Sequence, residues 1–501
     1  MAKQPNILLL FTDQQRYDTV AALGNPYIQT PALDSLVEEG VSFTSAYTAS
    51  PVCISARCSL LLGQYAHNTG CTDNSPMPQE RDSVMDMLQG AGYQTHGVGK
   101  MHFSPDGQKL WGFDSRDVAE EGGRRQGDHF CEFLKENGYD HVLNPNGVRS
   151  EFYYVPQPSQ LPERLHGTQW VGDRSLEYLQ NRDRDRPFFL WSSFIKPHPP
   201  FESPFPWTRL YKPLEMPFPF VPRGHEELLT FWNHMQNRYK YRDQGFDGNI
   251  VRLIRAQYYA AISFVDYNVG RIIAQLREEG ELDNTLIIHT ADHGEFLGDY
   301  GCYGKRSMLD AAARVPFLVR YPERFKTDEI CDEPVSLVDV LPTALSAAGL
   351  DVPDGRDGVD VAGLATGGVA REGVVSQFQH GDGGQYGYVT RDWKYIYSAP
   401  DNREWLFRRT EGQPEERNLA GNIAYQSVTD GMRAALIAKL REGGYEEPLD
   451  GDAWRIFPGK EVPADPDAWQ LYQEGGAVDV MFPDGYEPRL KPEGGLPVKG
   501  I

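Results

Sequence analysis

The chain has 501 residues, 49 of them Lys or Arg and 71 Asp or Glu, for a formal charge of −22. That balance argues against a nucleic-acid backbone or an anionic membrane surface as the main partner, and any anion site must bring its own local cations. With 40% hydrophobic and 24% charged residues, the composition is that of a packed protein, long enough for two or three domains. The longest apolar runs, such as Ile7 to Phe11, are five residues, far from the ~20 that cross a bilayer. An export signal of ~7–15 apolar residues with a small-residue cleavage site is not visible, so the expectation is a cytoplasmic protein or a mature form whose signal was removed.

The first element in chain order is PNILLLFTDQQ, a continuous apolar run ending in a carboxylate, the pattern of a central parallel strand buried on both faces. The same shape recurs at Asn284–Glu295, where Leu286-Ile287-Ile288 leads to Asp292. Further strands are predicted around Thr95–Val98, Phe188–Ser192 and Phe317–Val319, and helices over 31–40, 83–92, 257–280 and 338–349, each closing at a Gly. Strands alternating with helices predict an α/β fold: a large mixed, mostly parallel sheet sandwiched by helices. Past Gly349 the Gly/Asp-rich run reads as a surface loop, and 386–398 and 403–407 read as short strands of a smaller C-terminal antiparallel sheet, followed by a helix near Val428–Glu442. The expected division is a catalytic domain over 1–375 and a sheet-plus-helix subdomain with an extended tail over 376–501. The Pro/Gly-rich tail past Asp450 suits wrapping a neighbour in a homo-oligomer or the chain's own surface.

In parallel sheets ligand groups gather beyond the carboxyl ends of the strands. Asp13 and Asp292 hold that position after matching strands, with Gln14 and His293 beside them, and such oxygen and imidazole donors suit Ca²⁺, Mg²⁺ or Mn²⁺. The other reading of each carboxylate is a helix cap or loop residue. Cys53 directly precedes a predicted helix, at the positive end of its dipole, with Arg57 one turn on along the same face. A buried inert thiol is the alternative. The six cysteines include no CxxC pair and no dense disulfide framework.

PVCISARCSLLLG resembles the signature of the type I sulfatase family of the alkaline phosphatase superfamily, in which that Cys is oxidised to Cα-formylglycine. The resemblance runs in family order over roughly 5–425: NILLLFTDQQRYD and TADHGEFLGDYG are similar to the two metal-binding strands, GYQTHGVGKMHF to the Gly-Lys-x-His segment, IKPHPPF to the Pro-His-x-Pro-Phe segment and GKRSMLDAAARVPFLVRYP to the Lys-containing stretch. It implies an alkaline-phosphatase-like fold. It further implies that Asp13, Gln14, Asp292, His293 and modified Cys53 hold one divalent ion, Ca²⁺ with Mn²⁺ as the close alternative. Arg57 would hold the formylglycine hydrate, with Lys100, His102, His198 and Lys305 around the sulfate and Asn74 adding a contact. By the same resemblance one hydroxyl of the hydrate attacks sulfur, His198 with Lys305 protonates the departing alcohol, and His102 then takes a proton from the second hydroxyl.

Three positions depart from the family pattern: Ser55 stands where Pro or Ala is usual, Gln14 where many members have Asp, and His293 where many have Asn. The last two resemble the phosphonate monoester hydrolase and choline-sulfatase branch, whereas Lys100 and His102 are of the sulfatase type. The implied activity is hydrolysis of an aryl, alkyl or sugar sulfate, after maturation by a formylglycine-generating enzyme. The rivals are a phosphonate or phosphate mono- or diesterase, and a non-catalytic anion- or glycan-binding protein if Cys53 stays a thiol. Aromatics in variable loops at 67–74, 111–114 and 203–237, including Phe205, Trp207, Tyr211, Phe218, Phe220 and Trp232, are candidates either to stack an alcohol group or to pack the loops.

Overall fold

The structure is a computed structural model describing residues 4–123, 126–149, 153–241, 247–409 and 414–464. Eight strands form the central sheet: β1 (Asn6–Asp13), β2 (Val41–Phe43), β3 (Gln94–Gly99), β4 (Ser115–Val118), β5 (Phe188–Pro197), β6 (Thr285–Ala291), β7 (Phe317–Arg320) and β8 (Glu329–Cys331), in the order β8-β2-β7-β6-β1-β5-β3-β4. All adjacent pairs are parallel except those of β7, which runs antiparallel to both β6 and β2. β1 lies between β5 and β6, and its side chains alternate between two cores. Ile7, Leu9 and Phe11 enter one that holds Leu60–Leu62 and Leu341, and Leu8 and Leu10 enter the other with Val265, Val269 and Ile272. Burial on both faces is why the run is uninterruptedly apolar.

Helices cover both faces: α1 (Pro31–Glu38), α2 (Cys53–Leu62), α3 (Val84–Gly90), α4 (Gly167–Asn181), α5 (Gly248–Glu278) and α6 (Val340–Ala347). α5 starts nine residues before the predicted 257, because the Asp247 side chain accepts from Asn249 N and caps a polar first stretch that the apolar periodicity did not reveal. Within the Gly/Asp-rich segment predicted as loop, Val361–Ala365 forms a short helix that buries Val361 and Leu364.

A second sheet of four antiparallel strands, β9 (Val374–Phe378), β10 (Gln385–Val389), β11 (Trp393–Ser398) and β12 (Arg403–Arg408), packs beside α7 (Gln426–Glu442). β9 was not read in the sequence, and it runs through position 375. The segment past Asp450 begins with a two-residue strand, and its Trp454 stacks on Tyr397 at 4.2 Å. The rest of the predicted tail, 465–501, lies outside the described residues.

Candidate active site

β1 and β6 are neighbours in register, so their ends bring Asp13 and Asp292 together. The chain turns at Gln14 with φ of 68°, which aims its backbone N–H at Asp292 Oδ1 (2.9 Å), and His293 N donates to the same oxygen at 3.0 Å. Cys53 opens α2 behind Val52, whose side chain cannot cap. The first-turn N–H of Ile54 is satisfied instead by Asn74 Oδ1 at 3.1 Å. Asn74 is therefore a cap for the helix that carries Cys53, and it is half-buried at the site.

The ligand atoms of Asp13, Cys53, Asp292 and His293 lie within 4.8 Å of one another, all buried. His293 Nδ1 is 3.1 Å from Gly294 O; a proton donated there leaves Nε2 with a lone pair facing Cys53 Sγ at 3.3 Å. Burial and Asp13 push the Asp292 carboxyl up, whereas Asp13 stays low because Lys100, His198 and Lys305 outweigh its burial and the Cys53 charge. Two buried carboxylates, an imidazole lone pair and the side chain of residue 53 at such close quarters fit a divalent cation.

Arg57 lies on the next turn of α2, fully buried. Its guanidinium donates to Asp292 Oδ2 and Asp13 Oδ2, each at 3.1 Å, to Lys100 O at 2.5 Å and to Ser193 Oγ at 3.1 Å. It thus holds the two carboxylates in place, and no direct hydrogen bond to Cys53 is formed. Lys100 follows Gly99, whose φ of 90° and contact with Ser193 O leave no room for a Cβ. Lys100 Nζ pairs with Asp13 Oδ2 at 2.6 Å and with Glu121 Oε2 at 2.8 Å. His102 has φ of 55°, and its backbone N–H is fixed by Glu120 Oε1 at 2.9 Å. Its ring hydrogen-bonds the Cys53 sulfur, and its Nδ1 has no partner among the described residues.

Lys305 Nζ donates to Cys53 Sγ at 2.8 Å and to Gln14 Oε1 at 3.1 Å. Burial opposes ionisation of Cys53, but Lys100, Lys305 and His293 prevail and hold the thiol well below its ordinary range. His198 Nδ1 is 2.6 Å from Pro199 O, and its Nε2 is 3.0 Å from Glu121 Oε2. Burial pulls the His198 imidazole down to about 4, against Glu121 and Asp13. All eleven residues singled out in the sequence therefore lie in or against one cluster.

Two carboxylates of the site were not singled out. Glu295 is buried and accepts from Tyr154 OH at 3.0 Å, Leu297 N at 3.0 Å, Gly304 N at 2.6 Å and the Gln14 amide, so it fixes both Gln14 and the loop leading to Lys305. It sits within the TADHGE segment, three residues past Asp292, which was the available signal. Glu121 lies in a loop with no periodicity or motif to mark it. The loop aromatics divide: Trp207 stacks on Phe264 at 4.8 Å, Phe220 meets Tyr300, Trp232 packs on Phe378 and Tyr211 OH bonds Ser263, whereas Phe205 and Phe218 are exposed. His67 packs between Tyr65 and Tyr445, and Trp111 is buried against Phe103.

A nucleophile at a helix start, a metal-type donor set at paired strand ends and two flanking lysines define a hydrolase of tetrahedral anionic esters on an alkaline-phosphatase-like fold. The Sulfatase family profile matches residues 5–350, and the N-sulphoglucosamine sulphohydrolase C-terminal profile matches 298–442. The chain belongs to the sulfatase family and is a sulfuric ester hydrolase. It is 30% identical over 476 residues to an arylsulfatase of Clostridium perfringens, covering 89% of this chain and 96% of that protein. An N-acetylglucosamine-6-O-sulfatase of Bacteroides thetaiotaomicron is 27% identical, covering 84% of each chain. The crystal structure of a phosphonate monoester hydrolase of Agrobacterium radiobacter superposes with a TM-score of 0.76 at 24% identity, covering 88% of this chain and 96% of that one, which shows the common fold.

Proposed function

We propose that this protein hydrolyses sulfate monoesters of sugars or aryl alcohols through Cα-formylglycine formed at Cys53 by a formylglycine-generating enzyme, beside a calcium ion for which manganese is the close alternative. One observation carries the reading: residue 53 stands at once within the Asp13/Asp292/His293 donor cluster and 2.8 Å from Lys305 Nζ. Sulfur at position 53 makes the ligand set soft, and the oxygen of a modified residue would make it all oxygen and imidazole, as Ca²⁺ or Mn²⁺ prefers. Asp13, Asp292, His293 and residue 53 would hold the ion, with the Gln14 amide oxygen adjoining through Lys305. Once formed and bound, the hydrated formylglycine and the ion together supply an oxygen nucleophile and positive charge for the sulfuryl oxygens.

The remaining work falls to the chain's own side chains. An ammonium has three donors; Lys100 uses two on Asp13 and Glu121, and Lys305 two on Gln14 and residue 53, so each keeps one N–H for a sulfuryl oxygen. These charges are held in place before substrate arrives, where they stabilise the transition state most. His198 is oriented by Pro199 O and faces Glu121 Oε2 through Nε2; as the imidazolium paired with that carboxylate, it would pass its Nε2 proton to the departing alcohol oxygen. His102, whose ring faces residue 53, would accept the proton that leaves that side chain.

A sugar substrate is supported by the N-acetylglucosamine-6-O-sulfatase relative and by a similar solved structure described as a complex with D-glucosamine-2-N,6-O-disulfate. The test is kcat/KM on an aryl sulfate, glucosamine 6-sulfate and an aryl phosphonate, with Ca²⁺ and with Mn²⁺, using protein produced alongside a formylglycine-generating enzyme. The sulfates are expected to exceed the phosphonate by at least about 10²-fold, and Lys305→Ala to cut sulfate turnover by about 10²–10⁴-fold. A preference for the phosphonate would overturn the proposal.

A further inference from the structure

Shape does little to tell a sulfate monoester from a phosphate monoester: both present tetrahedral oxyanions of similar size. Charge does. The sulfate carries one negative charge, and a phosphate monoester at about pH 8 carries close to two, its second pKa lying near 6. What decides between them is the local charge balance of the groups that receive the oxyanion.

The two lysines of the cradle are not equivalent in this respect. Lys305 Nζ meets the neutral Gln14 amide and residue 53. Lys100 Nζ meets two carboxylates, Asp13 at 2.6 Å and Glu121 at 2.8 Å. Asp13 belongs to the donor cluster, but Glu121 does not. Its Oε2 also lies 3.0 Å from His198 Nε2 and 3.6 Å from an Arg149 guanidinium nitrogen. Its side chain is 15% exposed where that of Lys100 is fully buried, so the carboxylate reaches solvent and the ammonium does not. Arg149 in turn lies over Tyr153, and Tyr153 packs edge-on against His198. A negative charge is thus built against Lys100 and His198, two of the groups that would adjoin the bound anion.

We propose that Glu121 is a specificity-determining residue that tunes the cradle to a singly charged ester: its carboxylate admits the monoanionic sulfate and disfavours the dianionic phosphate of the same alcohol. The inference rests on the reading of Lys100, His198 and Lys305 as the groups around the sulfuryl oxygens. In a water-poor site with an effective dielectric near 20, one extra unit charge about 6–12 Å from a carboxylate is disfavoured by on the order of 10- to 100-fold. A carboxylate that only positioned Lys100 and His198 would affect both esters alike.

Glu121→Gln keeps the shape and an acceptor oxygen while removing the charge. The experiment compares kcat/KM for an aryl sulfate and for the phosphate monoester of the same alcohol at about pH 8, in the matured, metal-loaded enzyme and in Glu121→Gln, Glu121→Ser and Glu121→Asp. Calorimetric Kd values for the aryl sulfate and for the aryl phosphate in the Cys53→Ala background, where neither ester is turned over, give a second readout independent of turnover. The sulfate-to-phosphate ratio is expected to fall by on the order of 10- to 100-fold in the Gln and Ser variants and to be retained in Asp, in both kcat/KM and Kd. A change of less than about fivefold in the folded Gln or Ser variant, or an equal change in Asp, overturns the proposal. Lys305→Ala is the separate control: if it leaves sulfate binding intact, the cradle itself has been misassigned and the Glu121 inference falls with it.

Discussion

Arg57 makes the most costly set of contacts in the site, and its removal has a calculable effect. In Arg57→Met a similar stem still lies against Phe11, over whose ring the guanidinium now sits at 4.9 Å, but all four hydrogen bonds are lost. Asp13 keeps Lys100 at 2.6 Å, so its loss is partial. Asp292 keeps two backbone N–H donors but loses its only guanidinium partner. Breaking a buried pair by deleting one partner costs about 3–5 kcal/mol. At about 1 °C per kcal/mol for a chain of this size, the melting temperature should fall by roughly 3–5 °C in chelator-treated protein. Asp292, already pushed up by burial and Asp13, can limit the loss by taking a proton, so the deficit should be larger at pH 8 than at pH 6. A divalent ion supplies the missing positive charge and should raise the melting temperature more in the variant than in the wild type. Thermal melts followed by far-UV circular dichroism, with chelator and with Ca²⁺ at both pH values, test this. A fall under about 2 °C in chelator, or an equal ion-induced shift in the two proteins, would refute the reasoning.

Glu202 is buried, paired with Lys196 at 2.8 Å and hydrogen-bonded to His166 Nε2 at 3.0 Å, and these partners outweigh burial and hold its carboxyl below the usual range. Its stabilisation is therefore present above the unfolded value of about 4.3 and is lost as pH falls below it. Glu202→Gln should destabilise by about 3–5 kcal/mol near pH 7, with the gap to wild type closing below about pH 4; urea titrations across that range check it. A Cβ at Gly99 would stand 2.0 Å from Ser193 O with φ of 90°, so Gly99→Ala must displace the strand end that carries Lys100. It should cost at least about 2 kcal/mol in denaturant melts and reduce kcat of the folded fraction.

The parts of this fold that were legible in the sequence are those under the strongest burial constraint. The runs at Ile7–Phe11 and Leu286–Ile288 are apolar on both faces because β1 and β6 lie inside the sheet, and the first polar residues after them mark where the strands leave the core. Asp13 and Asp292 were found for that reason, and Cys53 because a helix start was visible behind it. β9 was missed because it is an edge strand of the small sheet, pairing with β10 alone, and the early turns of α5 were missed because their polar side chains carry no helical stripe. Glu121 was beyond sequence reasoning altogether. Its partners Lys100 and His198 lie 21 and 77 positions away, and only the sheet brings them together.

Everything proposed about turnover depends on what chemical group residue 53 presents to the donors at the ends of β1 and β6. Mass spectrometry of the 48–63 peptide, run on preparations converted to different degrees and matched to their aryl sulfate turnover, measures this directly. Activity should rise in proportion to the aldehyde-plus-hydrate fraction and vanish in Cys53→Ala. Full turnover in a preparation whose Cys53 is entirely an unmodified thiol would contradict the account.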